Sequence, residues 1–315
     1  MDRSELIKQL NDEFQAKHNK AIHRAENNLE NAKQNPEFAK NQTEQKILEF
    51  EIAKDTFEKK DTTKKEDQLK ALKKQESALL KKLGIPPASL IPQFECKKCQ
   101  DTGYANGKQC SCFKARLNQH LISLSGLEPT TLTTFKHFDT SVAKDPAHRE
   151  TLEGLKTLFT KYCNSFPRSP YSIITLVGHT GVGKTFALEC TTSEIIKKGY
   201  TANFITAFQL NNQFLKYHTC FDANKQSYMD MLLMPDLLVI DDLGTEPILR
   251  NVTKEYLLAV IQERMLKHRA TLISTNLSPE GIFERYGERL FSRLTHKGKA
   301  AFIKIEGDDL RRIQR

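Results

Sequence analysis

Over the first 85 positions apolar residues recur at helical intervals, and from about position 127 onward they gather into short unbroken runs. Leu6, Leu10 and Phe14, then Ile22, Ala25 and Leu29, fall three or four residues apart, the spacing of one helix face. Ile47, Phe50 and Phe57 fit a heptad frame, as do Leu69, Leu72, Leu79 and Leu83. Asn35-Pro36 breaks the first stretch, and Asp61-Thr62-Thr63 loosens the second. The pattern predicts helical hairpin segments or a short coiled coil over residues 1–90, not one continuous rod. Such a region serves equally well as a spacer or as an arm that docks a partner protein.

The later runs are Ser172–Val177, Ala202–Thr206, Leu237–Ile240, Ala270–Thr275 and Ala301–Ile305. They lack polar alternation and are separated by helical stretches, so they belong in a parallel sheet covered on both faces. Between the two regimes, Gly84-Ile85-Pro86-Pro87 closes the helical region, and a cysteine-rich segment follows it. A short helix from Lys114 to Leu124 then leads to Gly126. The expected divisions are 1–90 (charged helices), 91–125 (a small cysteine module) and 126–315 (an α/β domain).

Charge adds one feature to this division. The chain carries a net +9, yet residues 1–90 hold eighteen basic against sixteen acidic side chains. From Arg289 to Arg315, eight basic residues face only Glu306, Asp308 and Asp309. That end suits a polyanion such as nucleic acid or nucleotide phosphate, and equally a solvated face. No run of about 18 apolar residues exists, which excludes a helical membrane span. The N-terminus has no apolar stretch of the export type. The expected location is the cytoplasm.

Cysteine usage fits a reducing compartment. Four of the seven cysteines cluster as Cys96-x2-Cys99-x10-Cys110-x-Cys112, while Cys163, Cys190 and Cys220 are scattered and read as ordinary thiols. Pairs so close together point to a structural zinc ion held by four thiolates, closed to catalysis. Gly103 and Gly107 allow a tight knuckle between the pairs, and His120 stands in reserve as a ligand.

The segment SIITLVGHTGVGKTFALEC carries the strongest chemistry. Gly178, His179, Thr180, Gly181, Val182, Gly183, Lys184 and Thr185 form a complete phosphate-binding loop between an apolar strand and a helix. The glycines let successive backbone N–H groups face phosphate oxygens at a helix N-terminus. Lys184 is suited to the β- and γ-phosphates of ATP, and the Thr185 hydroxyl to Mg²⁺. The strand LLVIDD then supplies Asp241 for the same Mg²⁺ and Asp242 to polarise the attacking water. A glutamate is common at that second position, so the shorter aspartate favours slow hydrolysis. The strand ending at Asn276 is expected between the Asp241 strand and the loop strand, where the amide would orient that water. In Glu288-Arg289-Leu290-Phe291-Ser292-Arg293-Leu294 two arginines share a helical face. Arg293 is expected to act on a neighbouring subunit's nucleotide, and Arg311, after the last strand, on its own.

Taken in order, GHTGVGKT, LLVIDDLG, LISTN, YGERLFSRL and DDLRR resemble the DnaC/DnaI-type bacterial replicative helicase loaders and the related IstB transposition helpers, over residues 130–315. The resemblance implies an AAA+ P-loop ATPase core, a five-stranded parallel sheet between helices, with no C-terminal lid. The CKKCQDTGYANGKQCSCF segment makes the chain most similar to the zinc-containing DnaI branch. From that branch follow two expected partners, a hexameric replicative DNA helicase at the N-terminal part and single-stranded DNA at the ATPase part; an Arg293 acting in trans adds head-to-tail copies of the chain itself. Loaders of this kind carry an extra helix facing the DNA channel, here the Phe208–Met234 stretch with Lys216 and Lys225; its Phe208, Leu210 and Phe214 read more readily as helix core. The long charged region before the cysteines departs from the branch pattern. Two other readings stand beside the loader: a transposition helper acting on duplex DNA, and an interaction protein in which ATP is structural.

Overall fold

A computed structural model describes residues 3–127, 133–221 and 225–312. The chain divides into two compact units, Gln9–Phe113 and Met1–Lys8 with Lys114–Arg315. The helical region and the cysteine segment thus share one unit where the sequence places them in two, and the second boundary falls at Lys114 rather than at 126.

In the first unit, helices α1 (Arg3–Lys33, whose first residues belong to the other unit), α2 (Pro36–Phe57) and α3 (Thr63–Lys82) are interrupted where the sequence predicts. The Asn35 side chain caps α2 by accepting the N–H groups of Glu37 and Phe38, and Pro36 occupies the first turn, where a missing N–H costs nothing. α2 and α3 pair as a hairpin around Ala32, Phe38 and Leu80, with Leu29, Leu79, Ile85 and Leu90 against them. Farther along the hairpin the contacts turn polar. The amide of buried Gln45 donates to Glu76 (2.9 Å) and to Asn41 (2.7 Å), and the Asn41 amide donates to the Leu72 carbonyl (3.2 Å). Ile47, Phe50 and Phe57 do not form the expected seam; they are 56%, 73% and 90% exposed. A two-helix hairpin has only one inner face, and Phe38, Asn41 and Gln45 occupy it.

The remainder of this unit is built around the cysteines. Strands β1 (Tyr104–Ala105) and β2 (Lys108–Gln109) form a minimal antiparallel hairpin. Asn106 and Gly107, both at positive φ, make its two-residue turn. Gly103 must be glycine: its φ is +81°, and a Cβ there would sit 2.7 Å from the Phe113 ring.

The second unit starts with α4 (Ser111–Leu124, whose first residues lie before the boundary) and α5 (Pro146–Ser165). β3 (Ile173–Val177), α6 (Lys184–Lys197) and β4 (Ala202–Thr206) follow. α7 (Ala207–Thr219) and α8 (Lys225–Leu233) precede β5 (Leu237–Leu243) and α9 (Thr253–Leu266). β6 (Ala270–Thr275), α10 (Pro279–Tyr286), α11 (Glu288–Leu294) and β7 (Ala300–Lys304) complete it, and a 3-10 turn follows at Leu310–Arg312. The five strands β3–β7 form one parallel sheet in the order β4-β5-β6-β3-β7. Every residue of β3 and β6 is buried, as unbroken apolar runs require. The loop strand β3 and the Asp241 strand β5 flank β6, so the carboxyl ends that bind ligands in such sheets meet around Asn276. Between β4 and β5, Leu210 and Phe214 are buried as expected, whereas Phe208 is 57% exposed and does not join the core. Among the described residues no helix is long and apolar enough to cross a membrane.

Candidate functional site

The turn from β3 into α6 depends on glycines at positive φ. Gly181 (φ +84°) and Gly183 (φ +100°) curl the backbone, and α6 starts at Lys184. A Cβ on Gly181 would collide with the Asp309 carboxylate. Around this turn lies a cavity of about 1070 Å³. Thr180, Gly181, Gly183, Lys184, Thr185, Asp241, Asp242, Asn276 and Arg311 all line it, although they span most of the unit's sequence. Gly178 and His179 border an adjoining cavity that shares Asn276. Val182 is fully buried and faces His148, whose Nε2 lies 3.3 Å from the Val182 carbonyl oxygen. Arg293, half-buried on α11, does not line either cavity.

Lys184 is the centre of the polar network. Its ammonium donates to the carbonyls of Gly178 and His179 (2.7 Å each) and to Asn276 Oδ1 (2.8 Å). Burial lowers its pKa below the usual lysine value, and the carboxylates of Asp242 and Asp241 oppose that shift. The Thr185 hydroxyl donates to Asp241 (3.0 and 3.1 Å to the two oxygens). Burial raises the Asp241 pKa, while its bonds from Ser274 and Thr185 hold it down. The Asn276 amide reaches toward Asp242 Oδ1 at 3.5 Å. Arg311 pairs with Asp309 (3.1 Å), which lowers the Asp309 pKa and raises that of Arg311. A hydroxyl and a carboxylate in contact beside a lysine-bearing loop suit a hard, oxygen-loving divalent cation such as Mg²⁺.

Several residues here carried no sequence signal. Phe138, Val142 and Leu152 add an apolar end to the cavity beside His137, and Phe138 packs on Phe186 with centroids 5.5 Å apart. Glu189 lines the wall, its pKa raised by burial and then by Asp241. Fully buried Ser274 bonds Asp241. Glu246 is buried behind β5, accepting from the Gly244 N–H and the Tyr286 hydroxyl. Only tertiary contact reveals the part these residues play; Ser274 stands inside the LISTN motif, but its spacing does not show what its hydroxyl bonds.

In the other unit the four cysteines converge, with every pair of sulfurs within 4.8 Å. Cys96 and Cys110 stand 3.7 Å apart and Cys99 and Cys112 3.4 Å. Four thiolates about 2.3 Å from a tetrahedral ion sit about 3.8 Å from one another, so the set fits such an ion. Asp101 braces the knuckle by accepting the N–H groups of Glu95 (2.9 Å) and Cys96 (2.8 Å). Backbone N–H groups of the knuckle lower the thiol pKa values of Cys96 and Cys110, while burial raises those of Cys99 and Cys112. His120 is not in the cluster.

A parallel sheet with a phosphate loop on one strand, an acid pair on the next but one and an asparagine between them is the arrangement of a P-loop nucleotide-binding core. The chain belongs to the family of IstB-like ATP-binding proteins, whose model matches residues 112–315. It is 26% identical over 240 residues to the phage-like element PBSX protein XkdC of Bacillus subtilis, covering 70% of this chain and 86% of that one. It is 28% identical over 148 residues to the replicative helicase loader DnaI of the same organism, a match spanning 43% of this chain and less than half (46%) of DnaI. A crystal structure of DnaI superposes with a TM-score of 0.46 at 19% identity, covering 61% of this chain and all of that one.

Proposed function

We propose that the chain is an ATP-dependent loader that places a replicative DNA helicase on single-stranded DNA in the cytoplasm, with slow hydrolysis serving as a switch. The observation that carries this reading is the similarity to the replicative helicase loader DnaI, in a chain that holds both a phosphate loop and four converging cysteines. The exposed Ile47, Phe50 and Phe57 on α2 support an arm that docks the helicase. Lys225 lies over the rings of Tyr217 (5.1 Å) and Phe221 (5.5 Å), and Phe221 is 91% exposed. With exposed Phe208 and Lys216, this forms a surface for stacked bases and their phosphates.

In this reading Lys184 exchanges its carbonyl partners for the β- and γ-phosphates, and the loop N–H groups bind the remaining oxygens. Thr185 and Asp241 would hold Mg²⁺, which would supply neutralisation of charge at the phosphate oxygens. Asp242 takes the proton of the attacking water, Asn276 orients that water, and its oxygen displaces ADP from the γ-phosphorus. Exposed Arg311 can leave half-buried Asp309 for the phosphate of its own subunit, while Arg293 completes the site of the next. A trans arginine requires head-to-tail association. The cysteines hold a structural zinc ion.

The test is co-purification of the full chain with the host's replicative helicase in ATP and in ADP, followed by helicase unwinding on protein-coated single-stranded DNA. Nucleotide-dependent association and stimulated unwinding are expected. Indifference to the helicase, with ATP-dependent binding to duplex DNA and a transposase, would establish the transposition-helper reading in its place.

A further inference from the structure

Asp241 and Asp242 are consecutive residues, yet both line the same cavity. In a regular strand, successive side chains point to opposite faces, so two adjacent carboxylates cannot share one site. The register of β5 on β6 resolves the conflict. Ile240 pairs with Ile273 and Leu243 with Thr275, so Asp241 and Asp242 together stand opposite the single residue Ser274. This is a β-bulge, a device that re-aims side chains beside active sites. Asp242 absorbs the extra residue at a φ of +55°, a conformation aspartate tolerates better than most residues.

A bulge breaks the ladder and leaves backbone groups to be satisfied in other ways. Ser274, fully buried, meets that need with one hydroxyl. It donates to Asp241 Oδ1 (2.5 Å) and accepts the Asp242 N–H (2.8 Å). The next residue, Thr275, closes the far side by donating to the Leu243 carbonyl (2.6 Å). The same Asp241 oxygen receives the Thr185 hydroxyl, so Ser274 and Thr185 grip the carboxylate from two sides.

We propose that Ser274 is a positioning residue for this site. Its hydroxyl fixes the orientation of the metal-side carboxylate and simultaneously holds the backbone of Asp242, keeping both acids on one face. The inference rests on the roles given above to Asp241 and Asp242. Alanine at 274 leaves the Asp242 N–H buried without an acceptor and frees Asp241 to rotate. Threonine keeps the hydroxyl.

The experiment compares full-length wild type, Ser274→Ala and Ser274→Thr in three measurements. The first is Mn²⁺ affinity of the nucleotide-bound protein by electron paramagnetic resonance, with Mn²⁺ as the probe. The second is nucleotide affinity without divalent cation, and the third is ATP turnover. Partners of metal-binding carboxylates are worth roughly 10–100-fold in metal affinity or activity. The expected result is a loss of that order in Mn²⁺ affinity and turnover for alanine, unchanged metal-free nucleotide binding, and recovery with threonine. Unchanged Mn²⁺ affinity in the alanine variant overturns the proposal. So does an equal loss of metal-free nucleotide binding, because that marks collapse of the cavity. A wild type that binds Mn²⁺ with nucleotide but never turns over sinks the ATPase reading alone, and the metal affinities still decide the role of Ser274.

Discussion

The two units of this chain are held together by different physics. In the sheet unit, β3, β5 and β6 bury long apolar runs, and a large cluster from Ile173 through Leu294 packs on the β5 and β6 side. Burial at about 25 cal/mol per Å² is non-directional and spread over many side chains, so no single contact decides the fold. The Gln9–Phe113 unit has only small apolar groups, Ala32, Phe38 and Leu80 at the hairpin and Phe14 with Phe113 beside the cysteines. Its hairpin continues through Asn41, Gln45 and Glu76, and its cysteine segment gathers four converging thiols. Its stability is therefore concentrated in a few directional interactions. The sheet unit should tolerate loss of most individual groups structurally, and the other unit should not.

Metal removal gives the largest expected effect and tests this contrast directly. Structural zinc contributes on the order of 10 kcal/mol to small folds, because binding and folding are one event. Purified protein should contain one zinc per chain. Chelation or Cys99→Ser should disorder the cysteine segment, seen as lost amide-exchange protection around residues 94–113, while the sheet unit keeps its melting transition and nucleotide affinity. Metal content well below one per chain would remove the zinc assignment. Simultaneous melting of both units would remove the contrast.

Lys184→Ala acts on the opposite side of the comparison, through function with little effect on fold. The ammonium ties the loop to Asn276, and it is the cation the loop offers to phosphate. ATP-dependent activity should be abolished while the thermal transition of the sheet unit stays close to wild type. Calorimetric ATP affinity equal to wild type would show that the phosphates sit elsewhere.

Arg293→Ala should spare ATP binding and reduce turnover, by about a thousandfold where an arginine in trans has been compared and less in a slow switch. The mixing curve with Lys184→Ala is the informative measurement. An interface joining the intact loop of one variant to the intact arginine of the other regains activity, so the mixture should exceed the sum of its parts. A strictly additive mixture would move Arg293 to DNA binding or to its own subunit's site.

How much of this was legible follows the same division. The five strands and the phosphate loop were readable because apolar runs and glycine spacing are local signals that burial reinforces. The helix breaks at Asn35-Pro36 and Asp61–Thr63 were equally local. The helix faces were not: Ile47, Phe50 and Phe57 keep a heptad spacing, yet spacing alone cannot say whether a second helix covers them. Phe208 failed for the same reason, since an aromatic on an amphipathic helix can face either way. The unit boundary at Phe113 was hidden because the Phe14–Phe113 and His18–Phe94 ring contacts join residues far apart in sequence. Within the site, the cavity-lining motif residues were found from spacing, whereas Ser274, Glu189 and Glu246 act through contacts that only the sheet creates.

The smallest expected effect concerns the exposed aromatics of the sheet unit, where side chains lie outside either core. Phe221 is 91% exposed, so its removal deletes almost no packing and should leave the melting temperature unchanged. Its ring lies beneath the Lys225 ammonium, an arrangement in which a base can stack on the ring and a phosphate can meet the charge. Stacking of one base is worth about 1–3 kcal/mol, so Phe221→Ala should weaken single-stranded DNA binding by roughly 5- to 150-fold with little change in salt dependence. Lys225→Ala should lower the slope of log affinity against log salt by about 0.7, the signature of one lost phosphate contact on a single strand. The two variants thus separate stacking from charge in one titration series. Equal affinity of Phe221→Ala and wild type at every salt concentration would remove α7 and α8 from the DNA path.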